Sequence, residues 1–302
     1  MEKKVNWDRV LYPLDVLGCN LLGRRFIGAE SVEGVLQTGE KLKRQGFKVT
    51  YNLLGEHVKD KETVEMAVKT TRTLIEKMNA DSCGNVSCKP TLYGLCLSRG
   101  VFLDAMKEII RRAYEKGIEV EIDAENHGLI QDTFAIFSYF ASDRCLRHTV
   151  RQAIQAHLKN IEGLMDKYGL WDKNLRIVKG SGVYQDSESA VTQSEFLVTE
   201  RYLEILRRNL KNGRAPFVAT VRDRQLANEA IKLADSVDGL ITLQTLYGPA
   251  SSGFRSKLIR DGHSVSIYVP FTDDWCRDAW KPYGLRRARM MRRIFWQLFR
   301  GR

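Results

Sequence analysis

No run of about eighteen apolar residues occurs anywhere in this 302-residue chain, so no segment qualifies as a membrane-crossing helix. A signal-peptide-like apolar stretch is also missing from its start, and export is not expected. The six cysteines, Cys19, Cys83, Cys88, Cys96, Cys145 and Cys276, contain no Cys-x-x-Cys pair. A chain of this size needs no disulfide staples, so they read as reduced thiols in a cytosolic compartment. The five histidines show no His-x-x-x-His spacing, which removes the simplest helical zinc site. No Gly-x-Gly-x-x-Gly follows the first predicted strand, which weighs against a doubly wound dinucleotide-binding sheet. Gly180-Ser181-Gly182 is too short for a phosphate loop, and no Ser-His-Asp order can be argued. Scattered aromatics such as Trp171, Trp275 and Trp280 suit packing better than a nucleic-acid stacking platform. Neither a low-complexity linker nor an internal repeat divides the chain.

What is present is an ordinary globular composition with a basic bias. Hydrophobic residues make up 43% and charged residues 28%, enough for a substantial core. The formal net charge is +11, an excess that attracts anionic partners. Much of it lies between Arg286 and Arg302, which holds seven arginines and no acidic residue.

Short β-like runs alternate with helical periodicity. The predicted strands are Gly46 to Leu54, Gly84 to Lys89, Ile118 to Ala124, Thr149 to Gln155, Leu175 to Val178, Pro216 to Thr220, Gly239 to Gln244 and Val265 to Pro270. Helical patterns fill the gaps, among them Lys61 to Met78, Val101 to Lys116, Thr192 to Leu210 and Arg224 to Ser236. Alternation of this kind predicts a (βα)8 barrel of the TIM type, within the α/β class. The fourth strand is the least distinct, since Gln152 to Leu158 also suits a helix. Residues 1–44 read as a helical extension leaning on a catalytic barrel of residues 45–302.

In Ile118-Glu119-Val120-Glu121-Ile122-Asp123-Ala124-Glu125, a period of two sends the apolar residues to one face and the acids to the other. The apolar face should meet the helices, which directs the acids to the barrel axis. Glu119 and Glu121 are expected low on the strand, paired with surface lysines, and Asp123 near the catalytic end. Carboxylates gathered there need cations, and Lys89, Arg176 and Arg286-Arg287 are candidates. A divalent ion held by Asp123, Glu125 and His127 is the alternative, and implies a metal-dependent lyase or aldolase. Adjacent arginines suit a carboxylate ligand, although an isolated Arg-Arg is more often a solvated helix face.

Taken in order, Ser87-Cys88-Lys89-Pro90-Thr91-Leu92-Tyr93-Gly94-Leu95, Ile122-Asp123-Ala124-Glu125, Gln155-Ala156-His157-Leu158, Arg176-Ile177-Val178-Lys179-Gly180, Gln244-Thr245-Leu246-Tyr247-Gly248, Tyr268-Val269-Pro270 and Tyr283-Gly284-Leu285-Arg286-Arg287 resemble the motifs of the proline dehydrogenase family. Leu54-Gly55-Glu56 fits its early Leu-Gly-Glu. The resemblance implies a distorted (βα)8 barrel that binds FAD and oxidises L-proline, or a related cyclic imino acid, to Δ1-pyrroline-5-carboxylate. It also implies a membrane quinone as electron acceptor, which a cytoplasmic protein would meet at the inner face of the membrane through its C-terminal helix. Carried over by position, the implied catalytic set is Lys89 as substrate lysine, Asp123 as buried aspartate, Tyr268 against the proline ring, and Tyr283, Arg286 and Arg287 on the last helix. Gln155, Arg176, Lys179 and Gln244 are implied to contact the flavin.

Three places depart from the family pattern. Val221-Arg222 stand where a flavin-side histidine is usual, Ser181-Gly182 replace Ala-Tyr, and the segment from Tyr268 to Tyr283 is longer. These departures leave a barrel that has lost catalysis and serves as a binding protein as a further alternative. Finally, Met290, Met291, Ile294, Phe295, Leu298 and Phe299 form an apolar stripe flanked by arginines. That pattern suits a closing helix on the barrel, or an interfacial helix on anionic lipid.

Overall fold

The computed structural model describes residues 12–78, 84–180, 189–219, 223–248 and 252–288. The apolar stripe after Arg289, and the departures at Ser181-Gly182 and Val221-Arg222, lie outside these residues.

Eight parallel strands close into a barrel in chain order. They are β1 (Lys48–Leu53), β2 (Gly84–Cys88), β3 (Glu119–Ile122), β4 (Val150–Gln155), β5 (Leu175–Val178), β6 (Phe217–Val218), β7 (Thr242–Leu246) and β8 (Val265–Phe271). Closure comes from β8 pairing along the full length of β1, Lys48 opposite Ser266 through Leu53 opposite Phe271. The helices are α1 (Tyr12–Leu22), α2 (Val32–Lys43), α3 (Lys61–Lys77), α4 (Arg99–Glu115), α5 (Ile130–Ala141), α6 (Ile161–Tyr168), α7 (Glu195–Lys211), α8 (Arg224–Ser236) and α9 (Ser252–Arg260). A last helical segment covers residues 280–288.

The period-two pattern decides which residues meet the helices. Val49, Tyr51, Leu53, Val120, Ile122, Ile267, Val269 and Phe271 join the apolar core between barrel and helices. Their alternates turn inward, where Thr50 meets Ser266 at 3.0 Å and Gln244 Nε2 donates to Thr50 Oγ1 at 3.0 Å. Val32, Val35 and Leu42 of α2 belong to the same core. Close approach there requires a glycine, since a Cβ at Gly39 would lie 1.8 Å from the Tyr51 hydroxyl.

Side-chain caps start several helices just after the loops that leave the strands. Asp60 accepts from Thr63 N at 2.7 Å, Ser98 from Val101 N at 3.1 Å, and Asp223 from Leu226 N at 3.1 Å. Each satisfies an amide that the first helical turn leaves open.

β4 forms as expected and ends at Gln155. Other boundaries move. β1 begins at Lys48, because Gly46 is spent on a turn with φ +88° and its N–H donating to Lys43 O. β7 begins at Thr242 rather than Gly239, because the Gly239 amide bonds Ala234 O to close α8, and Leu240 is 77% exposed. β6 is only two residues long, pairing Phe217 and Val218 with Arg176 and Ile177 on one side and with Thr242 and Leu243 on the other.

Candidate active site

The carboxyl ends of the strands open into a cavity of about 950 Å³, lined among others by Glu56, Lys89, Asp123, Arg176, Tyr268 and Arg286. That is the end at which barrels carry chemistry, and the volume lies near the top of the range for small-molecule pockets.

Asp123 follows β3 and is the hub of the floor. Its Oδ1 accepts from Arg176 Nη1 at 2.7 Å and from the Ala124 amide at 2.8 Å. Its Oδ2 accepts from the Tyr268 hydroxyl at 3.1 Å and lies 3.8 Å from Lys89 Nζ. Burial alone would raise its pKa, but Arg176, Lys89 and these hydrogen bonds outweigh burial and hold it below the ordinary aspartate value. Asp123 is therefore a fixed negative charge at neutral pH. The Tyr268 oxygen also lies 3.2 Å from Ser87 Oγ, and burial with the Asp123 charge keeps its hydroxyl protonated far above the usual range. The Arg176 guanidinium sits 4.9 Å from the Tyr268 ring centroid.

Beneath Asp123, Glu121 is fully buried with Oε1 3.2 Å from Arg176 Nη1. The expectation of a surface lysine partner fails for this residue, because β3 carries it inside the closed barrel. Glu119 does sit lower, but its partner is Arg151 of β4, at 2.7 Å, rather than a lysine.

Arg286 and Arg287 reach the cavity from the segment 280–288. Trp280, Tyr283 and Ala288 pack with Cys19, Phe26, Ile27 and Leu54 in a second apolar cluster, which anchors that segment over the mouth. Arg286 grips Glu56 through a fork, Nη1 to Oε1 at 2.7 Å and Nη2 to Oε2 at 3.0 Å. Against the effect of burial, that grip lowers the pKa of Glu56. Arg287 lies 4.7 Å over the Tyr283 ring. The pair is thus part of the cavity wall and not a solvated face.

Lys179 also lines the cavity, held by Glu195 and by Asp223 Oδ2 at 3.0 Å. Gln244 lines it too, and its Oε1 has no hydrogen-bond partner among the described residues. Gln155 is fully buried at the end of β4 without reaching the cavity wall, and neither of its amide heteroatoms has such a partner. Nine of the ten implied site residues therefore border one cavity, with Gln155 set behind it. Glu56 at the cavity wall and Glu121 beneath the floor were not among the implied site residues. Leu54-Gly55-Glu56 marked the first by motif, whereas nothing in the sequence reports how deep the second lies.

Asp123, Glu125 and His127 do not assemble as metal ligands. Glu125 accepts from Thr91 Oγ1 at 2.7 Å, and no group of three His, Cys, Asp or Glu side chains close enough for a metal occurs among the described residues. Cys19, Cys88, Cys96, Cys145 and Cys276 are free thiols. No helix among the described residues is long and apolar enough to cross a membrane.

Known proteins resemble this chain in sequence and in fold. Proline dehydrogenase 2 of Bacillus subtilis strain 168 is 28% identical over 264 residues, covering 85% of this chain and 84% of that protein. Proline dehydrogenase of Deinococcus radiodurans is 26% identical over 262 residues, covering 84% and 83%. Among solved structures, proline utilization A from Bdellovibrio bacteriovorus, inactivated by N-propargylglycine, matches with a TM-score of 0.75 at 18% identity. That match spans 88% of this chain and 32% of the longer protein, and concerns the fold. The sequence model of the family named proline dehydrogenase matches residues 35–289, and the chain belongs to that family of oxidoreductases.

Proposed function

We propose that the protein oxidises L-proline to Δ1-pyrroline-5-carboxylate, using FAD as the acceptor in the site and a quinone as the onward acceptor. The observation that carries this reading is the pairing, in one cavity, of a carboxylate-binding fork at the mouth with a charge-balanced floor. Arg286 already grips a carboxylate, that of Glu56, and Arg287 and Lys89 border the same space. A proline carboxylate competes with Glu56 for that fork, since guanidinium geometry favours two parallel hydrogen bonds.

The residues present fit a flavin. Gln155 and Gln244 offer buried amide atoms with no protein partner among the described residues, and a ring carrying both donors and acceptors along its edge suits such groups. Gly180 stands beside them with φ +85°, and a Cβ there would strike His157 Nδ1 at 2.1 Å. Gln155, Arg176, Lys179 and Gln244 would hold the cofactor. The chemistry that the flavin would supply there is acceptance of a hydride from the substrate carbon next to nitrogen.

The chain's own residues bind, orient and balance charge. Arg286, Arg287 and Lys89 hold the carboxylate, and the Tyr268 ring packs against the substrate ring. Asp123 remains ionised and offsets Arg176 and Lys89 rather than serving as a base. Arg176 supplies fixed positive charge in an enclosed site, where it acts strongly on any negative charge that develops nearby. The proposed helical extension, residues 1–44, supports the barrel wall through its described part, where Val32, Val35 and Leu42 of α2 join the core. Membrane contact for quinone access belongs to the arginine-flanked tail.

The deciding experiment is anaerobic. Purified protein given FAD is expected to show flavin absorption, and L-proline is expected to bleach it. Protein that takes up no FAD, or a bound flavin that proline leaves oxidised, would sink the proposal.

A further inference from the structure

Glu121 has no role in the reaction described so far, yet it lies directly under the site. Arg176 Nη1 donates to Asp123 Oδ1 at 2.7 Å and lies 3.2 Å from Glu121 Oε1. Two carboxylates thus share one guanidinium nitrogen, and they are held unequally. Asp123 accepts from Arg176, the Ala124 amide and Tyr268. Glu121 receives no well-aligned hydrogen bond from any described residue. A buried polar group left in that condition is uncommon and costly as an ion. Of two carboxyl groups on one cation, the less well held takes the proton first.

Other groups also face Glu121, and the Ser87 hydroxyl is among those that favour its ionised form. Ser87 and Cys88 come from β2, Tyr268 from β8, and Asp123 from its own strand. Arg151 is its register neighbour on β4, but that guanidinium is committed to Glu119 and to the Leu175 and Ala215 carbonyls. Burial, opposed by Arg176 and reinforced by Asp123, pushes the Glu121 carboxyl up to about 7.

We propose that Glu121 is a positioning residue for Arg176, and that its proton occupancy sets how much of the guanidinium charge is available at the mouth of the barrel. Protonation of Glu121 makes the floor more positive by one charge, which favours an anionic ligand above it. The mouth then binds a carboxylate more tightly at lower pH. The ligand part of this inference rests on the proposed proline site.

Two measurements test it. Protein labelled with ¹³C at its glutamate carboxyls is titrated by infrared spectroscopy, which also keeps the cavity-lining His57 out of the readout. A protonated glutamate band that vanishes with a midpoint near pH 7, and is missing in Glu121→Gln, is expected. Calorimetry with a saturated five-membered-ring carboxylate lacking the amine is then run across the same range. Binding roughly tenfold tighter below the midpoint than above it is expected, with the step lost in Glu121→Gln. If wild type shows no glutamate titrating near neutrality, the inference is overturned whether or not the variant folds. An unchanged step in the variant overturns the link to the mouth. Should FAD fail to load, proline oxidation falls as the function, while the infrared midpoint still decides Glu121.

Discussion

Two arginines on neighbouring strands, Arg151 on β4 and Arg176 on β5, show how one barrel separates stability from chemistry. Arg151 is engaged through both terminal nitrogens: Glu119 at 2.7 Å, the Leu175 carbonyl at 2.9 Å, and the Phe217 ring 4.0 Å from its guanidinium carbon. Arg176 has one firm carboxylate, one unaligned carboxylate and a tyrosine ring at the cavity wall. A buried charge held low in the barrel locks a structure, whereas one at the cavity wall can respond to a ligand.

The sharpest way to break the comparison is to remove each arginine. Arg176→Ala is expected to lower kcat/KM for proline roughly a thousandfold, about 4 kcal/mol, with the circular dichroism of the fold retained. A loss within tenfold would make the upper arginine structural like the lower one. Arg151→Met should act the other way, costing about 3 kcal/mol in denaturant unfolding because Glu119 loses its cation. Activity per folded molecule is expected to stay within about twofold.

Smaller changes probe the mouth. Arg286→Lys replaces a fork by a point charge and is expected to lower kcat/KM roughly thirtyfold to a hundredfold, about 2 to 3 kcal/mol, while flavin content stays constant. Wild-type efficiency in that variant would remove the carboxylate grip from the account. Glu56→Gln leaves the shape of the mouth but removes the competing carboxylate. KM for proline should fall roughly fivefold, about 1 kcal/mol, and a rise in steady-state KM would show that Glu56 orders the fork rather than competing for it.

The barrel was legible because strand and helix periods alternate along the chain. Even β4, ambiguous by pattern, follows from the need for an eighth strand. Boundaries were harder where local geometry overrides periodicity, as at Gly239, whose amide closes α8 before β7 begins. The candidate site was readable where residues sit at strand ends, as with Lys89, Asp123 and Tyr268. The period of two showed that Glu121 points inward, but not that the closed barrel surrounds it. The Arg286 to Glu56 fork joins residues 230 positions apart, a pairing that no local pattern encodes. Gln155 reached the right strand end, yet its depth behind the wall depends on how β4 and β5 pack.

The brevity of β6 carries its own consequence for motion. With two paired residues on each side, and the Ala219 amide bonding Ile177 O at 2.9 Å just beyond, it has the fewest ladder bonds to break. Local opening draws on the least bonded units of a fold. In hydrogen exchange, the amides of Phe217, Val218 and Ala219 should therefore trade deuterium before those of β1 and β8, whose pairing extends from Lys48 to Phe271. Ala219 borders the cavity, so the seam that breathes first opens onto the site itself, and a ligand filling that cavity should slow the exchange there most.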